Sequence, residues 1–172
     1  MNIFYLDKNT KICAQYHCDK HVVKMLLESA QLLSTAHQVS SENLPEITPK
    51  HPDIPDLMKP SYVKHPCNIW VRQSVENYFW LAELAWELCK EYTYRYNKIH
   101  KRQETIVSLL DTWPKHLPHT GFTPPPQCMP DECKMGDTVE SYQEYYRQKK
   151  ANFATWRHRP IPTWFLKMED KL

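Results

Sequence analysis

The 172-residue chain is predicted to be all-α: a single-domain helical bundle over 1–172 with two long central helices and long proline-rich loops. Three observations predict this. Apolar residues recur at three- and four-residue spacing over long stretches, as on the buried face of a helix. Twelve of the 14 prolines gather in two tracts that bracket the second long helix, and a chain of this length buries most of its apolar side chains in one core.

Taken in order, Ile3 to Leu6 reads as a short extended start, after which Asp7 or Thr10 caps a first helix. Val23, Leu26, Leu27, Ala30 and Leu33 mark its apolar stripe to about His37. Six prolines between residues 40 and 66 (Pro45, Pro49, Pro52, Pro55, Pro60 and Pro66) deny the backbone regular hydrogen bonding and predict a long loop. Pro66 then suits a first helical turn. Trp70, Ser74, Asn77, Leu81, Leu84, Leu88 and Tyr92 line one face of a second helix reaching about Tyr96. Its flanking Tyr78, Trp80, Ala85 and Trp86 widen the apolar arc, which predicts a central, largely buried helix. Gln103 to Thr112 reads as a shorter helix, and Asp137 to about Trp156 as a third long one. The RHRPIPTWF tail is predicted to lie back across the bundle.

Composition excludes several functions. With only Gly121 and Gly136, the chain cannot form the consecutive-glycine phosphate loops of Walker or dinucleotide-binding motifs. A net charge of +2 supplies no broad basic surface, so nucleic acid would have to be held by a local patch. Six cysteines without a C-x-x-C pair are predicted to be reduced thiols. The absence of signal-like or membrane-length apolar runs predicts a soluble, cytoplasmic protein without membrane contact.

The stretch HCDKHVVKMLLESAQLL, residues 17 to 33, carries the densest chemistry. On a continuous helix Cys13, His17, His21, Lys24, Glu28 and Gln31 share a face opposite the apolar one. Solvation alone calls for lysine, glutamate and glutamine there, not for two histidines and a cysteine. Two chemistries fit. In one, no metal is used: His17 or His21 moves protons, Lys24 serves as amine nucleophile or anion clamp, and Glu28 acts as acid or base. In the other, Cys13, His17 and His21 hold a divalent metal such as zinc.

Further along, Lys64 and His65 precede a helix start, with Trp70, Arg72, Asn77 and Tyr78 following on the helix. That combination suits phosphate and base contacts. Tyr142, Tyr145, Tyr146, Arg147, Trp156 and Arg159 could stack on a base and hold phosphate. The basic and aromatic run YRYNKIHKR (94–102) fits nucleic acid or a solvated helix end equally well.

Through FYLD, HCDKHVVKM, QLLSTAH, the HP-x3-WVR segment, NY-x-WL, EYTYRY, MPDECK and the final PTWF, almost the whole chain resembles a group of phage and large-DNA-virus proteins. That resemblance carries no activity of its own. Over about the first hundred residues the chain is also distantly similar to the pyrimidine-dimer DNA glycosylases of the phage endonuclease V type. The A-x-Q-H-x3-E-Y-R-E stretch of that family compares with Ala14, Gln15, Tyr16, His17 and the run after Lys24. Its S/H-P segment before a long aromatic helix compares with His65-Pro66 through Glu91 and Tyr96.

This likeness implies a small all-helical enzyme that cuts a glycosidic bond and then the abasic strand. Residue by residue, only His17 matches outright. The family's catalytic glutamate aligns without gaps on Lys24, with Glu28 one turn later. Its nucleophile, the amine of a threonine exposed by loss of the initiator methionine, corresponds to Asn2.

The expectation is therefore a viral enzyme acting on a nucleobase, nucleotide or DNA, by N-glycosidic bond cleavage. His17, His21, Lys24 and Glu28 would carry the chemistry. Lys64, His65, Trp70, Arg72, Asn77, Tyr78 and Tyr146 would bind substrate. No cofactor is required and no oligomeric state is implied. The alternatives are a metal-dependent hydrolase built on Cys13, His17 and His21, and a non-catalytic viral protein that blocks a host factor or sequesters a nucleotide.

Overall fold

The computed structural model describes residues 1–39, 53–54 and 56–166; most of the first proline-rich tract, including Pro45, Pro49, Pro52 and Pro55, lies outside the described residues. Helices account for the regular structure and no strand occurs among the described residues: α1 (Thr10–Tyr16), α2 (Asp19–Gln38), α3 (Pro66–Val71), α4 (Val75–Tyr96), α5 (Gln103–Asp111), a 3-10 turn (Asp131–Cys133), α6 (Thr138–Lys149) and α7 (Thr163–Leu166). The protein is all-α, as the periodicity predicts. One contiguous apolar core draws on the extended start and on all seven of these helices.

The predicted first helix is two helices, capped by neither Asp7 nor Thr10. Asn9 caps α1, its side chain accepting from the Ile12 N–H at 3.1 Å, while Asp7 holds the cap itself by accepting from the Asn9 N–H at 2.8 Å. The helix stops after Tyr16 because its next carbonyls are taken by other partners. A continuing helix would pair the Gln15 carbonyl with the Asp19 N–H. Instead that carbonyl accepts from Arg95 Nη2 at 3.0 Å, and the Asp19 N–H donates to the Thr155 carbonyl at 2.8 Å. His17 and Cys18 become extended, and α2 restarts at Asp19.

The second predicted helix is also broken. α3 ends at Val71 with Arg72 as its C-cap, and Ser74, in an extended conformation, starts α4 with its Oγ accepting from the Asn77 N–H at 3.0 Å. From there α4 has the central, widely buried character that its apolar arc implies, packing against α1, α2 and α5. It ends at Asn97, whose left-handed backbone (φ 51°) closes the helix. The third long helix ends at Lys149 rather than Trp156. A turn follows, and the tail then crosses the bundle as predicted. Trp156 Nε1 donates to the Tyr16 carbonyl at 2.9 Å, and the Trp164 ring stands edge-on to Tyr16 and Tyr146.

A buried ionic network locks the α1–α2 break to α4 and the tail. Arg95, wholly buried, reaches Glu91 Oε1 at 2.7 Å and Asp19 Oδ1 at 2.9 Å. Arg159 pairs with the other oxygen of Glu91 at 2.9 Å, and Asp19 also accepts from Thr155 Oγ1 and the Arg157 N–H. Each carboxylate is multiply satisfied, the condition under which buried charge is tolerated.

Candidate active site

The extended start threads Ile3, Phe4, Tyr5 and Leu6 into the core, which draws residues 1 and 2 onto the side of α2. There a cleft of about 290 Å³ opens, lined by Met1, Asn2, Phe4, His21, Lys24, Met25, Glu28, His65, Cys128, Tyr145 and Lys150. A second hollow of about 390 Å³ lies beside Trp113, Lys115 and His116. A third, of about 230 Å³, is lined by Lys11, Glu87, Lys90, Glu91 and Arg159; of the three, the first is the one formed by the start of the chain.

Glu28 is the hub. Its Oε2 accepts from the Asn2 backbone nitrogen at 3.1 Å, and its Oε1 lies 3.4 Å from Lys24 Nζ. Lys24 is largely exposed, whereas the Glu28 side chain is only 12 % exposed. Lys150 also lines the cleft, its ammonium 4.5 Å above the Tyr145 ring. On the wall, His21 stacks on Phe4 with ring centres 4.2 Å apart, and its Nδ1 pairs with the Tyr146 hydroxyl at 2.6 Å. Burial, aided by His17, Lys150 and Lys24, depresses the His21 pKa to about 3. At neutral pH it is therefore an uncharged imidazole, a wall and hydrogen-bonding group rather than a proton donor of the imidazolium kind.

The cleft unites only part of the predicted set: His21, Lys24, Glu28 and His65. His17 is fully buried beneath it, with Nδ1 2.7 Å from the Cys13 carbonyl, and burial lowers its pKa to about 4. Its Nε2 has no hydrogen-bond partner among the described residues. The α1–α2 break takes His17 off the face that a continuous helix would have shared with Lys24 and Glu28. Cys13 donates from Sγ to the Phe4 carbonyl, and Tyr146 lies wholly buried behind His21.

The remaining predicted contacts are structural in this arrangement. Trp70 Nε1 donates to the Thr123 carbonyl at 2.9 Å, and Asn77 Nδ2 donates to the Trp70 carbonyl at 3.0 Å. The Tyr78 hydroxyl donates to the Leu109 carbonyl at 2.7 Å, and Arg72 braces Asn68 and the Val63 carbonyl. Lys64 is exposed and does not line the cleft.

Sequence reasoning proposed Tyr145 as a base-stacking residue but did not place Met1, Phe4, Cys128 or Lys150 in a site, and it reached Asn2 only through the resemblance. Their convergence depends on contacts between residues more than a hundred positions apart, such as Asn2 Nδ2 to the Cys128 carbonyl at 2.8 Å. No local periodicity encodes them. Among the described residues, the donor atoms that come close enough to hold a metal belong to His65, Cys67 and Cys128 rather than to Cys13, His17 and His21.

Fold and cleft together define a class: an all-α protein with a carboxylate facing the Asn2 nitrogen and the Lys24 amine in an open cleft at the start of the chain. The family model of the pyrimidine dimer DNA glycosylases matches residues 1–104, and the chain belongs to that family. No curated protein and no solved structure matches the chain. The matched region supplies residues 1–28 and His65 of the cleft. Cys128, Tyr145 and Lys150 come from the part beyond it. No helix among the described residues is long and apolar enough to cross a membrane.

Proposed function

We propose that this protein is a DNA glycosylase with abasic-site lyase activity, working in the cleft between the start of the chain and α2. The observation that carries the reading is the 3.1 Å contact between the Asn2 backbone nitrogen and Glu28 Oε2. It pairs the position of the family's amine nucleophile with a carboxylate, one turn beyond the ungapped alignment. The substrate we assign is DNA carrying a pyrimidine dimer, the lesion named in the family's description.

In this reading an α-amine at residue 1 or 2 attacks the sugar C1′ of the lesioned nucleotide. A C–N bond forms to the amine, the glycosidic C–N bond breaks, and the base leaves with its electron pair. Glu28 takes the amine's proton and faces the positive charge that grows on the sugar. The sugar ring then opens: the C1′–O4′ bond breaks, O4′ takes a proton, and the amine nitrogen becomes an imine that acidifies the C2′–H, whose removal breaks the C3′–O bond, expels the 3′ phosphate and cuts the strand. Lys24 and Lys150 offer charge to the flanking phosphates, while Phe4, His21 and Tyr145 provide aromatic walls for an extruded base. The Lys24 amine lies 3.4 Å from the same carboxylate, and an adduct on Lys24 in place of the α-amine would contradict this assignment.

Incubation with end-labelled duplex carrying a single pyrimidine dimer or a single abasic site tests the assignment. Strand scission at both is expected. Scission at the abasic site alone would contradict the substrate, and scission at neither would contradict the function.

A further inference from the structure

Beside the amine and carboxylate, the cleft carries three soft donor groups that the glycosylase reading does not use. His65 caps α3, and Cys67, fully buried, follows two residues later. Cys128 arrives from the segment ahead of the 3-10 turn. The donor atoms of all three lie within 4.8 Å of one another, and the two sulfurs are 3.8 Å apart. Both cysteines are free thiols, separated by nearly twice the ~2.05 Å of a disulfide bond. Their spacing instead matches an edge of a tetrahedron around zinc. At a Zn–S distance of about 2.3 Å and a tetrahedral angle, two sulfurs stand about 3.8 Å apart.

We propose that His65, Cys67 and Cys128 form a binding site for one zinc-class divalent cation, tetrahedral, with three protein donors and a fourth position on the cleft. The donors come preplaced. His65 Nδ1 accepts from the Cys67 N–H at 3.2 Å, which sets the ring's orientation beside the two sulfurs; a metal bound at that nitrogen would displace this hydrogen bond. Cys128 is held at both ends of its peptide unit, its carbonyl by Asn2 Nδ2 at 2.8 Å and its N–H by the Tyr142 hydroxyl at 3.4 Å. Two sulfurs and an imidazole select zinc or cobalt over magnesium or calcium. Because His65 and Cys128 line the cleft, the fourth position is open to a water.

The test uses the full chain, purified under reducing conditions, stripped with a chelator and titrated with cobalt(II) alone, then with zinc(II). One equivalent of cobalt should bind, showing tetrahedral visible bands and a thiolate-to-cobalt charge-transfer band that zinc abolishes. Cys67→Ser with Cys128→Ser should remove the charge-transfer band and weaken cobalt binding by ~100-fold or more. Cys13→Ser should leave both unchanged. Circular dichroism checks that each variant folds, and His65→Ala, altered at the cleft surface, should weaken binding should the double variant not fold. Absence of the charge-transfer band in the wild type, or its survival in a folded double variant, would overturn the site. The readout needs no DNA, so its failure leaves the glycosylase reading untouched.

Discussion

Glu28 accepts from the Asn2 nitrogen on one oxygen and faces the Lys24 ammonium with the other. An attacking amine must shed a proton and a developing sugar cation needs a nearby negative charge, and this carboxylate is placed for both. Glu28→Gln keeps the size and most of the hydrogen bonding but removes the charge. Glycosylase turnover should fall by about 10²–10⁴-fold, with duplex binding nearly unchanged, as measured by single-turnover kinetics and a binding titration. Equal loss in binding would mean that Glu28 positions the substrate instead. At this scale the sequence was partly legible. Lys24, Glu28 and His21 were visible because three- and four-residue spacing survives within α2. Asn2, Cys128 and Lys150 were not, since nothing local announces a contact that tertiary packing alone creates.

Helix breaks decide which residues meet. A wheel drawn from Cys13 to Gln31 assumes one helix, and the Arg95–Asp19–Glu91 network shows why there are two. Arg95 removes the carbonyl that α1 needs to continue and holds Asp19 at the start of α2. Replacing Arg95 with methionine leaves Asp19 and Glu91 without their fully buried partner and should cost about 3–5 kcal/mol. Arg159→Met, at a pair whose cation is 26 % exposed, should cost about 1 kcal/mol or less. Urea denaturation of both variants gives the comparison, and equal costs would mean that the network does not hinge on Arg95. The apolar stripes of α2 and α4 were readable because burial imposes their period. Their interruptions were not, since a cap such as Ser74 and a side chain that captures a carbonyl each override a continuous periodic pattern.

For the molecule as a whole, two buried neutral histidines make stability depend on pH. His17 and His21 are depressed from about 6.5 to about 4 and about 3, so between those values the unfolded chain binds protons that the folded chain refuses. The sign follows: their contribution is complete above pH 6.5 and is lost as pH falls through the window toward 4 and then 3. With both titrating, stability should fall by roughly 3 kcal/mol per pH unit in the steepest part of that window. Urea midpoints measured from about pH 7 down to about pH 4 check this, and a flat profile would contradict burial of the neutral rings. The all-helical architecture followed from composition and period. The cleft depends on Ile3 to Leu6 entering the core, and a short apolar start alone does not specify where it packs.

The central claim is that an amine at the start of the chain, paired with Glu28, attacks the sugar of damaged DNA. Borohydride trapping on an abasic duplex, followed by mass spectrometry of the digested adduct, tests it most directly. The expected result is one covalent adduct on the peptide containing residue 1 or 2, strongly reduced in Glu28→Gln and retained in Lys24→Ala. An adduct mapped to Lys24, or no adduct on an active, folded protein, would contradict it.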